Sequence, residues 1–292
     1  MTVGVRFETF LKNIGLTPTQ VEDGRNAHQS VRRCLNTHYY GYSSSSANSM
    51  LIGSWGKDTE IRPPRDIDIL FVLPDSMKWK YTTGNVQSQI LQDVKRVLLG
   101  TFSRTDVRGD GPVVVVPFAA YSVEVCPAFK RWDNKYEICI TTNGGSYKTF
   151  DPDAEIANVR RSNDGSSGNT RHLIRMLKKW QEQCAVPMKS FWLELLAVNF
   201  IDQWGYKGKG YGWYDWMVRD FFIWLDAKGQ SSYNFLSVPG TGELLSIGNA
   251  WASKASSAKD RANKAIQYDA EKLPCTSGGE WQKIFGPDMP QC

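Results

Sequence analysis

Apolar side chains recur at intervals of three and four over residues 5–14, where Phe7, Phe10, Leu11 and Ile14 make one face of a helix. Thr17 stands where an N-cap belongs and Pro18 suits a first helical position, so a second helix is expected over residues 18–40. The four consecutive serines within residues 42–48 mark a loop. The period then changes to two. Ile67, Ile69, Phe71 and Leu73 alternate with Asp66, Asp68, Leu70 and Val72 up to Pro74, as in a strand with a buried body and a polar start. Residues 86–99 return to helical spacing. Residues 107–108, 113–117, 121–125 and 136–141 read as strands, parted by Gly109-Asp110-Gly111 and Phe118-Ala119-Ala120.

From Asp151 the pattern is helical again, over 152–161, 170–183, 192–204, 213–225 and 242–268; the last carries a stripe of alanines. The Gly/Ser-rich residues 162–169 are expected to form a mobile surface bridge, and 273–292 an irregular tail. Helices, then a mixed sheet with one helix packed on it, then helices again make an α+β protein. The expected division is 1–150, a sheet core with its N-terminal helices, and 151–292, a helical domain.

Composition narrows the function. With 41% apolar and 22% charged residues the chain can bury a core, and 35 basic against 30 acidic residues leave a net charge of only +5. No run of five like charges occurs. A long nucleic acid is therefore an unexpected partner, whereas an anionic small-molecule substrate fits. No apolar run approaches the roughly 18 residues of a membrane span. Residues 1–10 lack the basic and apolar regions of a signal peptide, so a cytoplasmic protein without a membrane partner is expected. Six cysteines lie scattered with no Cys-x-x-Cys pair beside only three histidines, which argues against a structural zinc site and against a disulfide framework.

The chemistry concentrates in Leu51-Ile52-Gly53-Ser54, followed after an eleven-residue gap by Asp66-Ile67-Asp68-Ile69. Residues i and i+2 of a strand share a face about 6.6 Å apart, so Asp66 and Asp68 can grip the same cation. Carboxylate oxygens suit Mg²⁺, which fills its remaining positions with phosphate and water. Gly53 lets the backbone approach a phosphate, and Ser54 adds a hydroxyl and an amide donor. Taken singly, aspartates at a strand start more often cap a turn or face water; the combination describes a nucleoside triphosphate site.

That combination resembles the signature of the DNA polymerase β superfamily of nucleotidyltransferases. The resemblance implies a third carboxylate on a neighbouring strand, and Glu124 in Tyr121-Ser122-Val123-Glu124-Val125 supplies it, with one methylene more than the aspartate usual there. Asp106, Asp110 and Asp133 fall in turn or loop sequence and read as solvated. A second block, Leu173-Ile174-Arg175-Met176-Leu177-Lys178-Lys179-Trp180 with Ser190-Phe191-Trp192-Leu193-Glu194-Leu195-Leu196, is similar to the helical half of the 2′-5′ oligoadenylate synthetases. The chain as a whole resembles the bacterial CD-NTases, the wider cyclic GMP-AMP synthase and DncV-like group.

The resemblance implies a polymerase β-like mixed sheet core plus an oligoadenylate synthetase-like helical half, with the active site in the cleft between them. It implies that Lys178 and Ser190 hold the donor triphosphate and that Asn143 lies near the donor base. Without the resemblance, Lys178 reads as a solvated helix face and Asn143 as a plain turn residue; Lys179 reads as the solvated neighbour in either case. Most aromatics between Phe191 and Tyr233 read as core, with Tyr211 to Tyr214 a possible base platform. The family's chemistry uses two Mg²⁺ ions, with Mn²⁺ as a substitute, held by Asp66, Asp68 and Glu124. Its product is a cyclic di- or trinucleotide second messenger in bacterial anti-phage signalling, made with ATP as one substrate and sensed by a downstream effector. The C-terminal tail is a candidate handle for an accessory protein. The alternatives are a linear-oligonucleotide or RNA-end nucleotidyltransferase and an inactive nucleotide-binding scaffold.

Overall fold

Residues 1–231 and 233–292 are described by a computed structural model. From the N-terminus the elements are α1 (Val3–Ile14), α2 (Pro18–Tyr40), β1 (Ser49–Leu51), α3 (Gly53–Lys57), β2 (Asp66–Val72), a 3-10 turn (Asp75–Trp79) and α4 (Val86–Thr101). Four strands, β3 (Arg108–Asp110), β4 (Val113–Pro117), β5 (Ser122–Lys130) and β6 (Tyr136–Ile140), precede β7 (Ser146–Phe150), α5 (Pro152–Asp164), α6 (Asn169–Gln183) and α7 (Ser190–Ile201). A 3-10 turn (Tyr211–Trp213), α8 (Tyr214–Gly229), β8 (Phe235–Ser237), β9 (Leu244–Ser246), α9 (Ala252–Ala270) and α10 (Pro274–Phe285) complete the chain.

Two units result. One comprises Leu16–Asp58 and Pro63–Ile156, the other Met1–Gly15, Thr59–Arg62 and Ala157–Cys292. The chain leaves the sheet unit after Ile156, and both α1 and Thr59–Arg62 belong with the helical unit. Phe7 packs on Trp281 and Phe10 on Phe285 with ring centroids 5.2 and 5.0 Å apart, and the buried Arg6 pairs with Asp269 at 3.0 Å.

In the sheet unit the strands run β1-β2-β5-β4-β3, with β6 pairing β5 and β7 pairing β6. Only β2 and β5 are parallel. Ile67, Ile69, Phe71, Val123 and Val125 bury one face against Val31 and Leu35 of α2 and Ile90, Val94 and Leu98 of α4. On the opposite face Leu70, Cys126 and Ala128 pack with Ile52. Thr17 and Gln20 close a reciprocal capping box at the start of α2, and Gly41 ends the helix in the left-handed conformation. β5 outruns its expected end because Cys126, Ala128 and Phe129 are buried in turn. β7 has no clear signal in the sequence, since an edge strand reading Ser-Tyr-Lys-Thr-Phe carries little apolar alternation.

The helical unit is built around Trp180, Trp251, Trp281, Phe221 and Phe222. Here three expectations are corrected. Residues 162–169 are no mobile bridge: α5 extends to Asp164, and Ser162, Ser166, Asn169 and Thr170 are buried. Their hydroxyls satisfy one another, Ser162 Oγ and Ser166 Oγ lying 2.8 and 2.9 Å from Thr170 Oγ1. The helix expected over 242–268 begins only at Ala252, since Gly242 and Gly248 adopt positive φ and residues 244–246 pair as β9. The tail is ordered. Trp281, Ile284, Phe285 and Met289 are buried, Cys275 is disulfide-bonded to Cys292, and the chain returns so closely over α10 that a Cβ on Gly278 would lie 2.0 Å from the Gln291 carbonyl oxygen. Cysteine spacing alone gave no hint of this pair, because it depends on that return. Among the described residues no helix is long and apolar enough to cross a membrane.

Candidate active site

The parallel register of β2 and β5 sets Asp66 beside Ser122 and Asp68 beside Glu124. Because Ile67, Ile69, Val123 and Val125 are fully buried on one face, alternation leaves all four polar residues on the other. Glu124 is in turn flanked by Val115 of β4, whose partner on β3 is Arg108. Burial, then the charges of Asp66, Asp68 and Asp110, push the Glu124 carboxyl up to about 7, with Arg108 opposing them. Asp110, expected in a solvated turn, thus ends a strand and adds to the field at Glu124. Arg108 was not singled out in the sequence; its signal is the short β-rich stretch that ends in it, too brief to orient a side chain.

Gly53 begins the five-residue α3 with φ +57°, and a Cβ there would fall 2.0 Å from Asp68 Oδ2. The glycine therefore makes room for the carboxylate itself. The Ile52 amide donates to the Asp68 carbonyl at 3.0 Å, tying the turn that carries Ser54 to the strand that carries the acid. Lys57, at the end of α3, is buried in a 3.0 Å ion pair with Glu155.

Three other site residues lie in different settings. Asn143 and Gly144 have positive φ, and the Gly145 amide donates to the Thr142 carbonyl at 3.0 Å: a type I′ turn between β6 and β7, standing over the start of α4 where Asn85 Nδ2 donates to the Thr141 carbonyl. Ser190 is the exposed first residue of α7, its hydroxyl donating to Gln181 Oε1 at 3.0 Å. Lys178 is not on a solvated face. Its ammonium is buried, 3.1 Å from both the carbonyl and hydroxyl oxygens of Thr59 and 3.2 Å from Glu194. Lys179, expected to be solvated, is also buried and pairs with Glu182 and Asp288 at 3.3 and 3.1 Å. Both departures have one cause: α6 packs on several sides, so a helix position that looks polar in sequence is still enclosed. Of the expected aromatic platform, Tyr211 and Trp213 are half-buried and only Tyr214 is enclosed. Tyr214 is buried with its hydroxyl 2.6 Å from His172 Nδ1, and Tyr211 stacks on the His172 ring. Burial, and then Arg175, lowers the His172 pKa to about 4.

Asp66, Asp68 and Glu124 offer a hard, all-oxygen donor set, and a divalent cation would offset both the burial and the neighbouring negative charges that raise Glu124. Among the described residues no three acidic, His or Cys side chains converge into a ready cage. The fit is one of chemistry and shared face.

The chain is similar to known proteins along most of its length. Residues 1–163, more than half of the chain, match the profile of the Second Messenger Oligonucleotide or Dinucleotide Synthetase domain (SMODS). A probable cyclic nucleotide synthase from Bacillus cereus strain VD146 is 23% identical over 336 aligned positions, spanning 99% of this chain and 98% of its own. A cyclic AMP-AMP-AMP synthase from Acinetobacter sp. strain ATCC 27244 / 9458 is 22% identical, over 82% of this chain and 68% of its own. Among solved structures, E. coli MS115-1 CdnC with ATP superposes at a TM-score of 0.69 with 16% identity, covering 97% of this chain and 98% of that one, a likeness of fold. By its sequence profile the chain belongs to the Second Messenger Oligonucleotide or Dinucleotide Synthetase family, the divalent-metal nucleotidyltransferases that build cyclic oligonucleotide signals from nucleoside triphosphates.

Proposed function

We propose that this chain joins nucleoside triphosphates, ATP among them, into a cyclic di- or trinucleotide second messenger that acts in bacterial anti-phage signalling through a downstream effector. The observation that carries the reading is the parallel register placing Glu124 beside Asp68, one pair along from Asp66. Its finer details draw support from the cyclic AMP-AMP-AMP synthase among the relatives and from the ATP bound to the superposable CdnC.

Asp66, Asp68 and Glu124 would hold two Mg²⁺ ions, or Mn²⁺ in their place. When bound, such ions supply Lewis acidity to the attacking ribose hydroxyl and neutralise the departing pyrophosphate. The chain's own residues bind and orient. Gly53 and Ser54 present amide and hydroxyl donors to the donor phosphates, and Ser190 adds a hydroxyl. Lys178 joins them by exchanging the Thr59 hydroxyl for a phosphate oxygen while keeping Glu194. Asn143 meets the edge of the donor base. A carboxylate oxygen of Glu124 takes the acceptor hydroxyl proton as the hydroxyl oxygen attacks the donor α-phosphate in line and pyrophosphate leaves. A second attack, on the triphosphate end of the linear product, closes the ring. Positioning and electrostatics do the work, with no covalent enzyme intermediate.

The test is incubation with α-labelled ATP and each other nucleoside triphosphate in Mg²⁺ or Mn²⁺, followed by phosphatase and chromatography. A phosphatase-resistant product that disappears in Asp66→Ala/Asp68→Ala is expected. A phosphatase-sensitive ladder would transfer the reading to linear oligonucleotide synthesis, and no product from any pair would sink it.

A further inference from the structure

The segment Gly53–Lys57 is too short to be held by its own hydrogen bonds, yet Gly53 lies directly against Asp68, where a Cβ would fall 2.0 Å from Oδ2. What clamps it is the middle residue. The Trp55 indole reaches into α2 at Gly24, where a Cβ would lie 2.5 Å from Cη2 and 2.7 Å from Cζ2 of the ring. Edge-on contacts with His28 and Tyr121, centroids 6.1 and 5.9 Å away, close the slot on two further sides. Tyr121 is itself pinned, donating its hydroxyl to the Gln20 carbonyl at 2.6 Å.

Gly24 has no conformational reason to be glycine. It lies inside a 23-residue helix and is not among the positive-φ positions. A glycine in a helix interior weakens the helix relative to alanine. Here the missing Cβ is the notch that receives the ring. An indole is rigid and wedged between two other rings, so pushing its far edge moves its backbone, and the two residues that precede it on that backbone are Gly53 and Ser54.

We infer that Trp55, keyed into Gly24, is the positioning residue that sets the Gly53-Ser54 turn against Asp68. The inference rests on the proposed function in that it assigns this turn to the donor phosphates. The decisive variant is Gly24→Ala, a change that stabilises most helices. It is expected to raise KM for ATP by about fivefold or more, with kcat changed by less than about twofold, since ground-state and transition-state binding weaken together. Adding Trp55→Phe, whose smaller ring clears the new methyl, restores most of the loss. A Gly24→Ala enzyme with wild-type KM, or a double variant no better than Gly24→Ala alone, overturns the inference. Should Gly24→Ala not fold, Trp55→Leu fills the slot without the key: a raised KM at an unchanged melting temperature supports positioning, and an unchanged KM overturns it. Affinity for a non-hydrolysable ATP analogue, read by calorimetry on wild type and on whichever of these single variants folds, separates the two claims. A wild-type protein that makes no product sinks the functional reading alone, and equal affinities in wild type and that variant sink the positioning.

Discussion

In the sheet unit three carboxylates share one face of adjoining strands, and burial, then the charges of Asp66, Asp68 and Asp110, raise Glu124 to about 7, whereas in the helical unit two buried lysines are each met by a carboxylate within 3.3 Å. Like charges gather in the first place, and opposite charges pair in the second. The contrast separates a site from a scaffold. A like-charge cluster lowers the stability of the empty protein and is retained for what it binds, while closed pairs mainly become costly when one partner is lost.

The widest break in that contrast comes from removing like charges. Asp66→Ala/Asp68→Ala should cut product formation by at least about a thousandfold, about 4 kcal/mol of transition-state stabilisation, while its melting temperature stays level or rises. Chromatography of labelled product and a thermal melt check both halves. A fall in both would mean that the acids are structural.

Opening a closed pair should do the reverse. Lys178→Met leaves Glu194 buried without its ammonium and is expected to cost about 3 kcal/mol in urea unfolding, most of it regained in Lys178→Met/Glu194→Leu. If Lys178→Met unfolds like wild type, the burial seen here carries no energetic weight.

The units should also answer pH with opposite signs. A carboxyl whose folded pKa is raised from 4.5 to about 7 stabilises the fold fully below 4.5 and loses that contribution as pH climbs to 7. A histidine lowered from 6.5 to about 4 contributes fully above 6.5 and loses it as pH falls toward 4. In chelator-containing buffer, Glu124→Gln should therefore exceed wild type in stability at pH 8, by roughly 1 kcal/mol after solvent screening, and match it near pH 4. His172→Gln should flatten the loss between pH 6.5 and 4. Parallel pH profiles for wild type and either variant would contradict the assignment.

The smallest expected effect sharpens the role of the β6–β7 turn. Asn143→Gly keeps the positive φ and deletes the amide, so stability should shift by only a few tenths of a kcal/mol. A KM for ATP within about twofold of wild type would leave Asn143 a turn residue, and a larger rise would mark contact with the base.

Much of the carboxylate side was legible because its information is local. Period-two alternation in residues 66–73 and 121–125 requires Asp66, Asp68 and Glu124 to oppose the buried valines and isoleucines, whatever else the chain does. The capping pair Thr17 and Gln20 and the helix over residues 18–40 are local in the same sense. The failures involve partners distant in sequence. Polar Ser162 to Asn169 reads as mobile because the carbonyls of Lys207 and Lys209, which hold Asn169, lie 38 and 40 residues further along the chain. Lys179 looked solvated because Asp288 is more than a hundred residues away.

By itself the sequence determined the α+β order of elements, the strand faces and the acids that share one, since side-chain period follows from backbone geometry alone. Only the tertiary structure decided which strands are neighbours, which lysines are closed and why residues 24 and 53 must be glycine. Those depend on what the packed chain brings within a few ångströms, and van der Waals contact and desolvation act only at that range.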